Sequence, residues 1–145
     1  MNTASNRRFT RIQFDRKVNL IFQGYDYGAA QIKDLSLSGM YVYGYYNQLE
    51  GDECTVILTQ TGISSVLALD ATAKVAWTED EGIAIQFTAM TFDSYMFLQT
   101  SLLYEAENPL IIGMELPDNC PFTIIDANIE KQYQNTSHKQ DRLNI

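Results

Sequence analysis

The sequence predicts a single, mainly β domain, either a sandwich or a barrel, followed by one α-helix. Its 145 residues suit one domain, and a hydrophobic fraction of 46% is enough for a core. Short β-rich runs separated by turn residues recur at intervals of roughly 8–12 residues, which is typical of sandwiches and barrels. After these runs, apolar residues recur at helical spacing.

Six runs are predicted strands because they are rich in β-branched and aromatic residues and lie between turn residues. They are residues 18–22, 29–34, 39–43, 54–59, 65–77 and 82–87. The last two flank an acidic turn at residues 79–81, which we interpret as solvated and not as a catalytic pair of carboxylates.

The predicted helix follows the last strand and begins near Thr91. Thr91 is a plausible N-cap, and Asp93 suits the positive end of the helix dipole. We expect the dipeptide Asn108-Pro109 to end the helix and its apolar face to cover the open side of the β-structure. The apolar positions at helical spacing are Phe92, Tyr95, Met96, Leu102, Leu103 and Ala106.

The chain after the helix, residues 109–145, is a C-terminal extension of unknown role. Residues 110–112 and 122–125 are apolar enough to pack or to form an edge strand, and residues from about 130 on are expected to be disordered. Two cysteines, predicted to be reduced, and the single histidine, His138, are too few for a zinc site of the usual kind. We therefore predict no metal, no cofactor and no catalytic residues.

Charge is distributed unevenly along the chain. A net charge of −8 argues against a protein that binds DNA, RNA or an anionic membrane surface. Residues 1–17 nevertheless form a basic arm, which we predict to be mobile. No apolar run approaches the ~20 residues of a membrane-spanning helix, and we expect a cytoplasmic protein. Five of the ten basic residues lie within eleven positions: Arg7, Arg8, Arg11, Arg16 and Lys17.

Two short motifs contain the residues best suited to bind a ligand. The first is an RxxxR with Arg7 and Arg11 at its ends and Arg8 beside the first arginine, and the second is a DxSxxG over residues 34–39. A guanidinium fits a phosphate or the O6/N7 edge of guanine, and it can lie flat on a purine. A carboxylate such as that of Asp34 accepts hydrogen bonds from the N–H groups of guanine.

Each motif taken alone also has a purely structural interpretation. Arginines near an N-terminus are usually solvated, and Asp34 and Ser36 are ordinary turn residues that bond neighbouring backbone groups. Gly39 would permit a positive φ and the close approach of a ligand.

Together the motifs resemble the PilZ domain family. In that family an RxxxR precedes a DxSxxG, and the two motifs lie on either side of a strand. Residues 73–77 and 82–87 are also similar to the family's closing hairpin, and the resemblance covers roughly residues 7–106. It implies a six-stranded antiparallel, split β-barrel with a C-terminal helix over residues 18–108.

The same resemblance implies a function, which is to bind cyclic di-GMP and signal to a protein partner, without enzymatic activity. The ligand, one molecule or a stacked pair, would contact the side chains of both motifs. The single tryptophan, Trp77, is a further candidate, because strand residues near this position border the site in some members of the family. It is either an aromatic wall beside a guanine or a barrel residue packed under the helix, and the second interpretation is preferred. An alternative is a constitutive protein-interaction domain that binds no nucleotide. A phosphodiesterase would need metal ligands that we do not find, and RNA binding conflicts with the net charge. The implied ligand-binding residues are Arg7, Arg8, Arg11, Asp34, Ser36 and Gly39.

Overall fold

The computed structural model describes residues 9–60, 66–116 and 120–125, and several of its strands show the two-residue alternation of a half-buried sheet. In the second strand, for example, Val18, Leu20 and Phe22 are buried, whereas Lys17, the first residue of that strand, is exposed. The strands are β1 (Ile12–Gln13), β2 (Lys17–Phe22), β3 (Tyr25–Leu35), β4 (Gly39–Tyr43), β5 (Glu53–Gln60), β6 (Val66–Thr78), β7 (Gly82–Thr91) and β8 (Thr123–Ile125). The helices are α1 (Phe92–Glu105) and α2 (Pro109–Glu115).

Six of these strands close into an antiparallel barrel. Their order around the barrel is β3-β2-β5-β6-β7-β4, and β4 pairs back with β3 to complete the ring. The predicted six-stranded antiparallel barrel is therefore confirmed. Two short strands lie outside the ring: β1 pairs with β3, and β8 pairs in parallel with β7.

Helix α1 packs against the barrel, as predicted. Thr91 is its N-cap, and the Thr91 side chain accepts a hydrogen bond of 3.3 Å from the backbone N–H of Ser94. The buried hydroxyl of Ser94 also accepts from the backbone N–H of Asp70 at 3.0 Å, which ties the helix to β6. The apolar side chains Leu98 and Leu102 face the core and are at most 1% exposed, whereas Phe92 and Met96 of the predicted apolar face are 53% and 43% exposed.

The end of α1 differs from the prediction. The helix already ends at Glu105, and Asn108 is the N-cap of α2, with its side-chain oxygen accepting from the N–H of Leu110 at 3.2 Å. Pro109 then occupies the first helical turn, where its missing N–H costs nothing. Residues 110–112, for which a strand was one expectation, therefore belong to a helix.

Part of the C-terminal extension packs onto the barrel. Ile112 of α2 is 2% exposed, and Phe122 lies edge-on to Phe87 and Tyr95, with ring centroids 6.0 and 5.6 Å apart. Residues 123–125 form β8, in agreement with the edge strand expected there. The predicted disordered tail and His138 lie outside the described residues.

Both cysteines are free, as expected. Cys54 is buried on β5, and burial raises the pKa of its thiol to about 12, whereas Cys120 is exposed. None of the helices in the described part of the chain is long and apolar enough to cross a membrane.

Candidate ligand-binding site

A short strand brings the two motifs together. In the antiparallel pairing of β1 with β3, Ile12 lies opposite Leu35 and Gln13 opposite Asp34. Arg11 immediately precedes β1, and this strand pairing therefore places Arg11 beside the start of the DxSxxG turn. The buried side chains of Phe9 and Ile12 flank Arg11 and hold this segment against the core.

A β-bulge turns Asp34 toward the outside of the barrel. The register between β3 and β4 shifts between Ile32 and Asp34, so Lys33 is an extra residue in β3. Strict alternation would place Asp34 on the inner face with Ile32, but the bulge gives both Lys33 and Asp34 access to solvent. The carboxylate of Asp34 is thereby available to Arg11.

The residues after Asp34 form a turn that is bonded internally and to the barrel. The backbone N–H of Ser36 donates to the carbonyl of Gly39 at 2.9 Å, and the hydroxyl of Ser36 accepts from the N–H of Ser38 at 3.2 Å. Leu37 is 1% exposed in the core, and the carbonyl of Ser38 accepts from Phe87 of β7. Ser36 thus bonds neighbouring backbone groups, as its structural interpretation predicted, and its side chain is buried.

Gly39 is required for a reason that differs from the one predicted. It does not have a positive φ; instead, a Cβ atom built on it would lie 2.0 Å from the backbone carbonyl oxygen of Ile85. Gly39 opposes Gln86 in the pairing of β4 with β7, so the absent side chain lets these strands approach each other. Gly39 therefore does not use the positive φ that it would permit, and its need for a small residue comes from the neighbouring strand.

The structure does not support the preferred interpretation of Trp77 as a barrel residue packed under the helix. A second bulge lies between Val75 and Trp77, where β6 pairs with β7, and Ala76 is the extra residue. The bulge reverses the alternation after the buried Val75 and leaves Trp77 half-buried on the outer surface. There its ring lies beside Arg11, on the wall of a cleft.

Arg11, Asp34 and Trp77 meet at this cleft, which has a volume of about 150 Å³. Nη1 of Arg11 lies 3.9 Å from Oδ1 of Asp34, and the guanidinium carbon lies 5.2 Å from the centroid of the Trp77 ring. The side chains of Arg11 and Asp34 are 23% and 20% exposed. Ser36 and Gly39 also line the cleft. Arg7 and Arg8, the other predicted ligands, lie outside the described residues.

The acidic turn contributes contacts that its interpretation as a solvated turn did not anticipate. Oε2 of Glu79 accepts a hydrogen bond of 2.9 Å from the hydroxyl of Tyr41, and Oε1 accepts one of 3.3 Å from Nε1 of Trp77. Burial raises the pKa of the Tyr41 phenol above its ordinary value, and the Glu79 hydrogen bond and charge raise it further. Tyr41 therefore remains a neutral donor. Lys33 lies over the Tyr41 ring, with its Nζ atom 5.2 Å from the ring centroid.

The site contains no group of metal ligands among the residues that the structure describes. Nowhere in residues 9–60, 66–116 and 120–125 do three His, Cys, Asp or Glu side chains come together so that they could hold a metal ion. The chemistry at the cleft is that of a guanidinium, a carboxylate and an aromatic face, which are binding groups.

The family model of the PilZ domain matches residues 5–104. This chain belongs to the PilZ domain family. The match includes both motifs, the barrel and nearly all of α1, whereas α2 and β8 lie beyond it. PilZ domains are receptor or effector modules, and no catalytic family is indicated. No sequence among the curated proteins matches the chain.

One solved structure resembles the fold of this chain. It is that of the Bacillus subtilis inhibitor of motility, MotI/DgrA, with a TM-score of 0.51 and 13% identity over 70% of this chain. The present chain spans 55% of the length of that protein, and the likeness supports the fold alone. A weaker likeness, with a TM-score of 0.40 and 17% identity, covers 66% of this chain and 94% of a Legionella uncharacterized protein, Lpg0364, and adds nothing to the assignment.

Proposed function

We propose that this PilZ domain is a cytoplasmic receptor for cyclic di-GMP that changes conformation when it binds its ligand and signals to a protein partner. One observation carries the proposal: Arg11 of the first motif and Asp34 of the second lie together at one cleft. The proposed cycle consists of ligand binding and release, with no catalytic residue, cofactor or metal.

The three exposed groups of the cleft complement a guanine nucleotide. The guanidinium of Arg11 offers a planar fork of donors to a phosphate or to the O6/N7 edge of guanine. The carboxylate of Asp34 accepts from the N–H groups on the Watson–Crick edge of that base. The ring of Trp77 offers a stacking surface for a base. Cyclic di-GMP supplies phosphates and guanines in one molecule.

Ligand binding would replace the ion pair between Arg11 and Asp34. Both side chains are partly exposed, so their pair at 3.9 Å contributes no more than about 1 kcal/mol. Arg11 would then donate hydrogen bonds to the ligand, and Asp34 would accept hydrogen bonds from it. These new contacts would stabilise the complex by more than the lost ion pair stabilised the free protein. The existing pair also keeps both groups oriented toward the cleft before the ligand arrives.

The size of the cleft indicates that the barrel wall is only part of the site. At about 150 Å³ it is smaller than the usual ~300–1,000 Å³ of a small-molecule pocket. We propose that the part of the arm before Phe9, with Arg7 and Arg8, covers the remainder of the ligand and becomes ordered as it does so. Such ordering changes the charge and shape of the surface that a partner contacts.

Calorimetric titration tests the receptor function, with cyclic di-AMP and GTP as ligand controls. Arg11→Ala and Asp34→Ala each remove one charge-assisted contact, so we expect affinity for cyclic di-GMP to fall roughly ten- to a hundredfold. Lys17→Ala is the matched control, because it removes a positive charge from the same part of the chain at an exposed position on β2. Its affinity should stay within about twofold to threefold of wild type.

The same titration can refute the proposal. A folded wild-type protein that fails to bind cyclic di-GMP, or that binds cyclic di-AMP equally well, is not the receptor described here. The alternative of a constitutive protein-interaction module would then become the leading hypothesis.

A further inference from the structure

Glu79 lies at the centre of a chain of contacts that reaches the candidate site. Its two carboxylate oxygens accept from two different aromatic donors, the hydroxyl of Tyr41 and the indole N–H of Trp77. The ring of Trp77 in turn lies 5.2 Å from the guanidinium carbon of Arg11. Glu79 itself does not line the cleft.

The backbone around Glu79 is fixed at both ends of the turn. The N–H of Glu79 donates to the carbonyl of Gly82 at 2.8 Å, which closes the hairpin between β6 and β7. A Cβ atom on Gly82 would lie 2.6 Å from Cε1 of Tyr41, so the Tyr41 ring packs directly on the backbone of this turn. The carboxylate is thus held between a fixed backbone and a buried tyrosine that is 3% exposed.

The orientation of Trp77 depends on this carboxylate. A half-buried indole on the outer face of a barrel has no core around it to select one rotamer, so the hydrogen bond from Nε1 to Glu79 restrains the ring. A ring held in this way presents its face to the guanidinium of Arg11, whose central carbon lies 5.2 Å from the ring centroid, and an aromatic face attracts a cation.

We propose that Glu79 is a positioning residue of the ligand site, which holds Trp77 as a rigid platform for Arg11 and for a purine base. This inference rests on the proposed receptor function. In this proposal Glu79 does not contact the ligand. It affects ligand binding by orienting the indole of Trp77. The bridge to Tyr41 fixes the carboxylate, and the carboxylate fixes the platform.

Because Trp77 is the single tryptophan of the chain, its indole N–H gives one identifiable signal in an ¹H–¹⁵N NMR spectrum. Glu79→Ala should shift that signal and speed its exchange with solvent, and should weaken cyclic di-GMP binding roughly threefold to tenfold. Glu79→Gln should retain part of both properties, because its amide oxygen still accepts from the indole. Glu81→Ala, which removes the same charge two residues away, is the matched control and should leave both unchanged.

A double-mutant comparison separates this role from general support of the hairpin. In a Trp77→Phe background no indole N–H exists, so Glu79→Ala should cause no further loss of affinity. An equal loss in both backgrounds, or a wild-type affinity in Glu79→Ala, would overturn the positioning role. Failure of the wild type to bind cyclic di-GMP would instead refute the receptor function, whatever the indole signal shows.

Discussion

The two sides of the cleft are built differently. The barrel side consists of the turn at residues 36–39 and strands β6 and β7, and it is fixed by backbone hydrogen bonds, by Leu37 in the core and by the close approach of β4 to β7. The arginine side, residues 9–13, is held by Phe9 and Ile12, by a two-residue strand, and by contacts from Thr10 to Glu115 of α2.

This difference in construction indicates that the two sides have different roles in ligand recognition. A side that is part of the barrel presents its groups in one geometry and can move only if the barrel unfolds. A side attached through a few contacts can change position at a cost of a few kcal/mol at most, which is the range in which ligand binding shifts an equilibrium. Substitutions on the barrel side should therefore reduce global stability, and substitutions of the solvent-accessible contacts on the arginine side should act locally.

The largest effect is expected for Gly39→Ala. The added Cβ would meet a backbone carbonyl oxygen at 2.0 Å, and backbone cannot move aside as a flexible side chain can. β4 and β7 must separate, and we expect the free energy of unfolding to fall by about 3 kcal/mol, at the upper end of the range for overpacking. Chemical denaturation followed by circular dichroism measures it.

Gly113→Ala is the matched control for that experiment. Gly113 lies in α2, and nothing lies within 4 Å of a Cβ built on it, so alanine should stabilise the helix by up to about 1 kcal/mol. Opposite signs for the two substitutions would support the close approach of β4 to β7. A Gly39→Ala protein as stable as wild type would show that the barrel side is softer than we describe.

An intermediate effect is expected for Ser36→Ala. The substitution removes the acceptor of the Ser38 N–H from a buried turn, so we expect a loss of about 1–2 kcal/mol in unfolding free energy. Ser38→Ala, which removes a less buried hydroxyl of the same turn, should cost less than about 1 kcal/mol. Binding of cyclic di-GMP should weaken less in Ser36→Ala than in Asp34→Ala. The reverse order would mean that Ser36 contacts the ligand directly.

The sequence predicted the barrel well because its strands carry repeated local signals. Alternation, β-rich composition and turn residues specified six strands and a helix, and the structure contains them with shifted ends. β1 was missed because two residues cannot display a periodicity. Residues 110–112 were expected to pack or to form an edge strand, and the helix that contains them was not predicted, although the Asn108 cap and Pro109 at the first turn favour one.

The site was predicted less completely, because bulges and close approaches are tertiary features. Nothing in local alternation indicates that Lys33 and Ala76 are extra residues, yet these two bulges place Asp34 and Trp77 on the outer surface. Glu79 resembles any acidic turn residue until the hairpin brings it to Tyr41. An aspartate at a position that alternation assigns to the core was the one signal of a bulge available in the sequence.

The smallest global effect is expected for Glu115→Ala, on the arginine side. The Glu115 carboxylate accepts from both the backbone N–H and the hydroxyl of Thr10, the residue before Arg11. Since both partners are accessible to solvent, its loss should lower the unfolding free energy by less than about 1 kcal/mol. Amide exchange at Thr10 and Arg11 should nevertheless become roughly tenfold faster, because the segment opens without unfolding the barrel.

Glu107→Ala, which removes a charge between α1 and α2, is the control and should leave this exchange unchanged. A slow, unaltered exchange in Glu115→Ala would mean that burial of Phe9 and Ile12 alone fixes the segment, and that the two sides of the cleft are equally rigid.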